Sequence, residues 1–168
     1  MERDAILRLR EEIKQTKPFQ DRTHAAALAL IRTADQSRRF MEILLAPVGI
    51  SAEQYNVLRI LRGAGEKGLP TLEIAARLLE RNPGITRLVD KLEAKNLVCR
   101  ARCATDRRQV FCTITDAGVD LLNNMDEPAR FQVQYFFRGL SAAQLDTLID
   151  LLDLVRYPEQ IDRKERQK

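Results

Sequence analysis

The stretch from Ser51 to Thr115 most narrows what this chain can fold into. Its apolar residues fall at helical spacing in three successive segments and then at a spacing of two. Ser51-Ala-Glu-Gln54 has the form of a capping box, with Val57, Leu58 and Leu61 as the buried stripe of the helix it opens. Gly63, Gly65 and Gly68 close that helix, and Thr71 is set to cap a second one carrying Leu72, Ala75, Leu78 and Leu79. Asn82-Pro83 starts a third, with an N-cap residue followed by proline at the first helical position. Ile85, Leu88, Val89 and Leu92 then make one apolar face, and Asn96 supplies a left-handed stop. Residues 97–103 and 109–115 alternate, with Val98, Arg100 and Arg102 on one side of the first strand and Val110, Cys112 and Ile114 together on the second. A hairpin pairing residue 103 with 110 would set Cys112 opposite Ala101. Three short helices and a hairpin predict a winged helix-turn-helix in a mainly α (α+β) chain.

Charge sharpens this reading. Arg81, Arg87, Lys91, Lys95, Arg100, Arg102, Arg107 and Arg108 face only Asp90, Glu93 and Asp106, so this stretch carries +5 in a chain of net +4. The remainder sums to −1. A basic face can be merely solvated, but here the charge coincides with the module, as expected of a surface that grips phosphates. Asn82, Pro83 and Gly84 bring backbone N–H groups to the start of the basic helix, where a phosphate can be met. Thr86, Arg87 and Lys91 lie opposite its apolar face, and an arginine there can read guanine O6 and N7 or hold phosphate. At the hairpin tip, Asp106 can orient an arginine while Arg107 or Arg108 enters a minor groove.

The flanks are helical. Residues 4–14 suit a short helix, interrupted by Pro18. From Asp21 to about Leu45 a long helix meets neither proline nor glycine until Pro47 and Gly49. Thr115 caps a helix from about Asp116, with a kink or break expected near Pro128. Ser141-Ala-Ala-Gln144 is a second capping box, opening a last helix that Pro158 ends. Phe131, Tyr135, Phe136 and Phe137 form an aromatic cluster suited to packing at a dimer interface, with a ligand pocket as the alternative.

The motifs resemble those of the MarR family of bacterial transcription regulators. They are Ile85-Thr86-Arg87-Leu88-Val89-Asp90-Lys91-Leu92-Glu93, Leu97-Val98, Asp106-Arg107-Arg108, and Ile114-Thr115 followed by Gly118. The resemblance spans roughly residues 21 to 157, and Asn96 stands where a glycine is usual. It implies a single domain over 1–168, a DNA-binding lobe at 51–115, and dimerisation helices at 21–46 and 116–157. It implies that the wing's Asp-X-Arg pattern falls on Asp106 and Arg108, and that a homodimer binds a palindromic double-stranded DNA operator as a repressor. It also implies a small-molecule pocket between dimer helices and lobe, near Arg38, Met41, Tyr55 and Leu122, with Arg38 suiting an aromatic acid. The family's organic-peroxide sensors carry a reactive cysteine near the start of the long helix, and this chain has none there.

Other chemistries find little support. No nucleophile, acid–base pair or phosphate-binding glycine motif emerges, so no enzyme and no cofactor is expected. Cys99, Cys103 and Cys112 read as small apolar fillers on the wing strands, redox sensitivity being the alternative, and no metal set accompanies them. His24, the one histidine, reads as structural. The N-terminus lacks an apolar signal region, and no run approaches a membrane span, so a cytoplasmic protein with no membrane partner is expected. The rival function is a winged-helix module that binds protein or RNA; a steep salt dependence of duplex binding would favour DNA.

Overall fold

The structure, a computed structural model, describes residues 2–80, 84–102 and 110–158. In chain order the elements are α1 (Glu2–Glu12), α2 (Arg22–Leu45), α3 (Ala52–Ala64), β1 (Leu69–Pro70), α4 (Thr71–Arg77), α5 (Ile85–Glu93), β2 (Val98–Arg102), β3 (Val110–Ile114), α6 (Asp116–Phe136) and α7 (Ala142–Arg156). By contacts the chain divides into two compact units, one ending at Ala129 and the other beginning at Arg130.

Local chemistry sets the helix starts. The Asp21 carboxylate accepts from the His24 amide at 2.8 Å and caps α2. At α3 the Ser51 hydroxyl accepts from the Gln54 amide (3.2 Å) and the Gln54 side chain accepts from the Ser51 amide (2.9 Å). That box also satisfies Gln54, a buried polar side chain. Thr115 serves two ends at once: its hydroxyl donates to the Asn96 carbonyl (2.6 Å) and accepts from the Gly118 amide at the start of α6 (3.2 Å). Asn96 takes the left-handed conformation (φ 57°) that its position as a helix stop requires. A Cβ at Gly118 would lie 2.4 Å from the Leu97 carbonyl oxygen, so only glycine lets α6 begin so close to the strand entry.

The core of the first unit gathers Tyr55, Val57, Leu58 and Leu61 from α3, Ile74 from α4, and Ile85, Val89 and Leu92 from α5. Leu45, Val98, Cys112, Leu122 and Met125 complete its centre. Leu122, Met125 and Ala129 of α6 belong to this core, and the first compact unit runs on to Ala129.

Several expectations are corrected. A third strand, β1, pairs antiparallel with β3, giving the order β1-β3-β2. The hairpin register differs by one residue from that expected: Arg100 faces Cys112 and Ala101 faces Phe111. Thr71 is the first residue of α4 and not its cap; Pro70 precedes the helix, and the Thr71 hydroxyl lies 3.5 Å from the Val110 carbonyl oxygen. α4 stops at Arg77, short of Leu79 (87% exposed), and within it Leu72 (82%) faces solvent while Ile74 fills the core. Pro128 does not break α6, which continues to Phe136. Proline leaves the Asn124 carbonyl without its helical donor, but both residues lie on the exposed side, where water can serve that oxygen.

In the second unit, Phe131 and Tyr135 stack (6.3 Å), Phe136 meets Phe137 edge-on (5.0 Å), and Arg138 lies over the Tyr135 ring (3.8 Å).

Candidate nucleic-acid interface

α5 has two faces of different chemistry. Ile85, Val89 and Leu92 are buried and Leu88 is half-buried, whereas Thr86, Arg87, Asp90 and Lys91 are exposed. The buried face fixes the helix; the outer face is left to solvent. Arg87 and Lys91 are one turn apart there, and among the described residues neither carries an ion pair. Gly84 precedes the helix and has no side chain to cap its first turn. Asn82 and Pro83, the rest of the expected start signal, lie outside the described residues, as do Asp106, Arg107 and Arg108 at the hairpin tip and Cys103 beside it.

Two bases of the same stretch are committed inside the fold. Lys95 donates to the Gly49 carbonyl at 2.6 Å. Arg100, on the inward side of β2, is held by two acids of α5: Asp90 Oδ1 lies 2.7 Å from one terminal nitrogen, and Glu93 Oε2 accepts from Nε at 2.9 Å and from the other terminal nitrogen. The Glu93 bond dominates in holding the Arg100 guanidinium protonated and in keeping the Glu93 carboxyl below its ordinary value. The charge count overlooked this commitment, although strand alternation already put Arg100 on the side of buried Val98.

Of the residues expected to line a ligand pocket, three meet in one cluster and the fourth lies at a cleft. Tyr55 and Leu122 are buried core residues, and Met41 packs against that core. Arg38 alone borders a cleft of about 70 Å³, with Glu53, Asn56, Leu78, Leu79 and Glu80. Its guanidinium lies 3.6 Å from Glu80 and 3.8 Å from Asp35. The Asn56 side-chain oxygen accepts from the Leu79 amide (3.1 Å), and Glu53 is held below its ordinary carboxyl value, chiefly by its hydrogen bond with Ser51.

Cys112 is wholly buried in the core, and that burial pushes its thiol up; Cys99 is exposed and free. His24 meets Phe19 edge-on at 5.6 Å. Among the described residues no His, Cys, Asp or Glu group could hold a metal ion, and no helix is long and apolar enough to cross a membrane.

Comparison with known proteins agrees with this geometry. The MarR family model matches residues 50–110. The HTH-type transcriptional regulator MhqR of Bacillus subtilis is 31% identical over 107 residues, covering 64% of this chain and 72% of that protein. A MarR transcription factor from Planctomyces limnophilus has the same fold at 40% identity and a TM-score of 0.64, over 81% of this chain and 98% of its own. A cysteine-to-serine mutant of Escherichia coli MarR, crystallised with operator DNA, is similar at 25% identity and a TM-score of 0.69, over 76% of this chain and 90% of its own. With its helix-turn-helix, amphipathic basic helix and first wing strand inside the matched region, this chain belongs to the MarR family of DNA-binding transcriptional regulators.

Proposed function

We propose that this protein is a homodimeric repressor that reads a palindromic duplex with α5 and the wing and is released by a small acidic ligand. The carrying observation is the outer face of α5: Thr86, Arg87 and Lys91 are exposed on a helix whose other side is locked into the core. Arg87 serves base readout, Lys91 backs it on phosphate, and the Gly84 end meets the sugar-phosphate chain, with Asn82 and Pro83 contributing by sequence. Arg108 enters the minor groove beside Arg107, and Asp106 orients it.

The dimer follows from apolar surface that one chain leaves open. Ile31 (65%) and Ile43 (71%) on α2 and Val155 (66%) on α7 call for a partner, and a second copy supplies one with two-fold symmetry. Two recognition helices then meet half-sites about one helical turn apart.

For release, the Arg38 cleft is the candidate entrance. A carboxylate that takes Arg38 from Glu80 loosens a tie between α2 and the segment that leads toward α5. The cleft widens for an aromatic ring if the exposed Leu79 side chain turns away. A tenfold change in DNA affinity needs only about 1.4 kcal/mol of preference for one arrangement.

The test is duplex selection from a random library, followed by titration of the selected duplex. Arg87→Ala should cost about 1–3 kcal/mol and relax one base position. Unchanged affinity sinks the assignment. Benzoate and salicylate, screened by thermal shift and duplex release, test the ligand arm; stabilisation without release refutes the coupling.

A further inference from the structure

Asp90 is out of place on a DNA-reading surface. It is half exposed, sits on the outer side of α5, and lies one turn from both Thr86 and Arg87. Unanswered, it would repel phosphate and offer Arg87, three residues before it, an intrahelical partner. In the structure it is answered: Arg100 reaches from β2 and takes Asp90 Oδ1 at 2.7 Å while forking onto Glu93 with Nε and its other terminal nitrogen.

The geometry is that of a strut. Asp90 and Glu93 are three residues apart on one helix, so a single planar guanidinium bonded to both sets the rotation of α5 about its axis relative to β2. The root of the strut is rigid, since Val98 two residues earlier is buried and the strand partner, Cys112, is wholly buried. The Arg100 side chain is only 28% exposed. Rotation of α5 decides where Arg87 and Lys91 aim.

We propose that Arg100 is a positioning residue for DNA recognition, fixing the rotation of the recognition helix through Asp90 and Glu93 and silencing Asp90, without itself touching DNA. This rests on α5 being the reading helix. It gives Asp90 a role as the grip by which the wing strand holds that helix, and it removes Arg100 from the phosphate-binding set.

The test uses the full chain and the selected duplex, titrated over a range of salt. Arg100→Met should lose about tenfold in affinity, with weakened base preference. The slope of log affinity against log salt should stay at the wild-type value, because no phosphate contact has gone. Adding Asp90→Asn to Arg100→Met should recover most of the affinity by removing the stranded carboxylate. Arg100→Lys should keep affinity better than base preference, since an ammonium answers the charge but cannot fork onto two carboxylates. The proposal is overturned if Arg100→Met lowers the salt slope by about one phosphate, or if Asp90→Asn recovers nothing. A fall in thermal midpoint that accounts for the whole affinity loss also overturns it. To separate folding from recognition, Arg100→Met with Asp90→Asn and Glu93→Gln leaves no charge stranded in the cluster. It should melt near wild type yet bind with poorer base preference, and wild-type preference in that variant refutes the strut. If Arg87→Ala leaves duplex binding unchanged, the reading of α5 has failed and the positioning role with it; if Arg87→Ala weakens binding and the Arg100 variants do not, the positioning role alone has failed.

Discussion

Helices α3 and α7 open with the same device and meet different surroundings. Ser51 and Ser141 each accept from the amide three residues on, and Gln54 and Gln144 each accept from the serine amide in return. Beyond the cap they part. α3 buries Tyr55, Val57, Leu58 and Leu61, whereas α7 buries nothing, and its Ile149, Leu151 and Val155 stand at 60%, 56% and 66% exposure. A cap and a period of 3.6 determine where a helix forms. What its apolar stripe contributes depends on what lies across from it. In α3 the partner is the chain itself; in α7 the stripe awaits a second surface.

The largest effect should come from α3. Leu58 is fully buried, so Leu58→Ala removes transfer energy and leaves a cavity, at a cost of about 2–5 kcal/mol by denaturant unfolding. Leu151→Ala on α7 should cost under about 0.5 kcal/mol in a dissociated protomer. Equal losses in the two variants would erase the contrast between the helices.

Next in size is the effect of α7 on association. If a second copy covers its stripe, Ile149→Asp should forfeit about 1.5–3 kcal/mol of burial, roughly a 10–100-fold rise in the dimer dissociation constant. Sedimentation velocity over a dilution series measures it. Unchanged association would move the dimer contact elsewhere, with Ile31 and Ile43 of α2 the next to probe.

The same contrast explains what could be read from sequence. Helix existence rests on short-range signals, so both capping boxes, the Thr115 cap and the Asn96 stop were legible. Burial rests on the tertiary partner. Leu72 and Ile74 are both apolar and two residues apart, but α4 turns only Ile74 inward, and no local pattern over seven residues could choose between them. The two-residue β1 contains a proline and takes its definition from pairing with β3, so it had no periodicity to find. The hairpin register hung on a turn length that alternation does not supply, and one residue moved Cys112 from Ala101 to Arg100. At the site, the outer face of α5 was visible as a helical stripe. The Arg100 strut was not, because it joins side chains from a helix and a strand. The burial of Tyr55 and Leu122 was likewise beyond local pattern, since it is set by the helices packed around them.

A smaller effect tests the caps themselves. Ser51→Ala and Ser141→Ala each remove the same hydrogen bond, worth about 1 kcal/mol at a typical N-cap. Ser51→Ala should sit above that figure, up to about 2 kcal/mol, because Gln54 is buried and the other half of its box is disturbed. Ser141→Ala should sit below it, with its cap exposed to water. Circular dichroism with urea titration ranks the two, and the reverse order would mean that surroundings do not modulate a cap.

The smallest effect concerns ion pairs, where the helices differ again. Arg62 of α3 forks onto Asp126 of α6 at 2.8 and 3.0 Å, joining residues 64 apart in sequence. Arg156 of α7 pairs with Asp153, three residues back, at 3.3 Å. Both pairs are substantially exposed, so screening limits them: about 0.2–1 kcal/mol for the first, and about 0.2–0.5 kcal/mol for the second. The Arg62 hydrogen bonds hold the Asp126 carboxyl below its ordinary value. A carboxyl lowered in the folded state stabilises fully above the ordinary carboxylate range, and that stabilisation drains away as the pH falls through its folded value. A double-mutant cycle with Arg62→Met and Asp126→Asn should therefore give its full coupling at neutral pH and lose it as acid protonates Asp126. The same cycle on Arg156 and Asp153 should give the smaller coupling at neutral pH. If the Arg62–Asp126 coupling survives into acid undiminished, the contact is one of packing and not of charge. α3 would then be tied to α6 by shape alone, as it already is to the core.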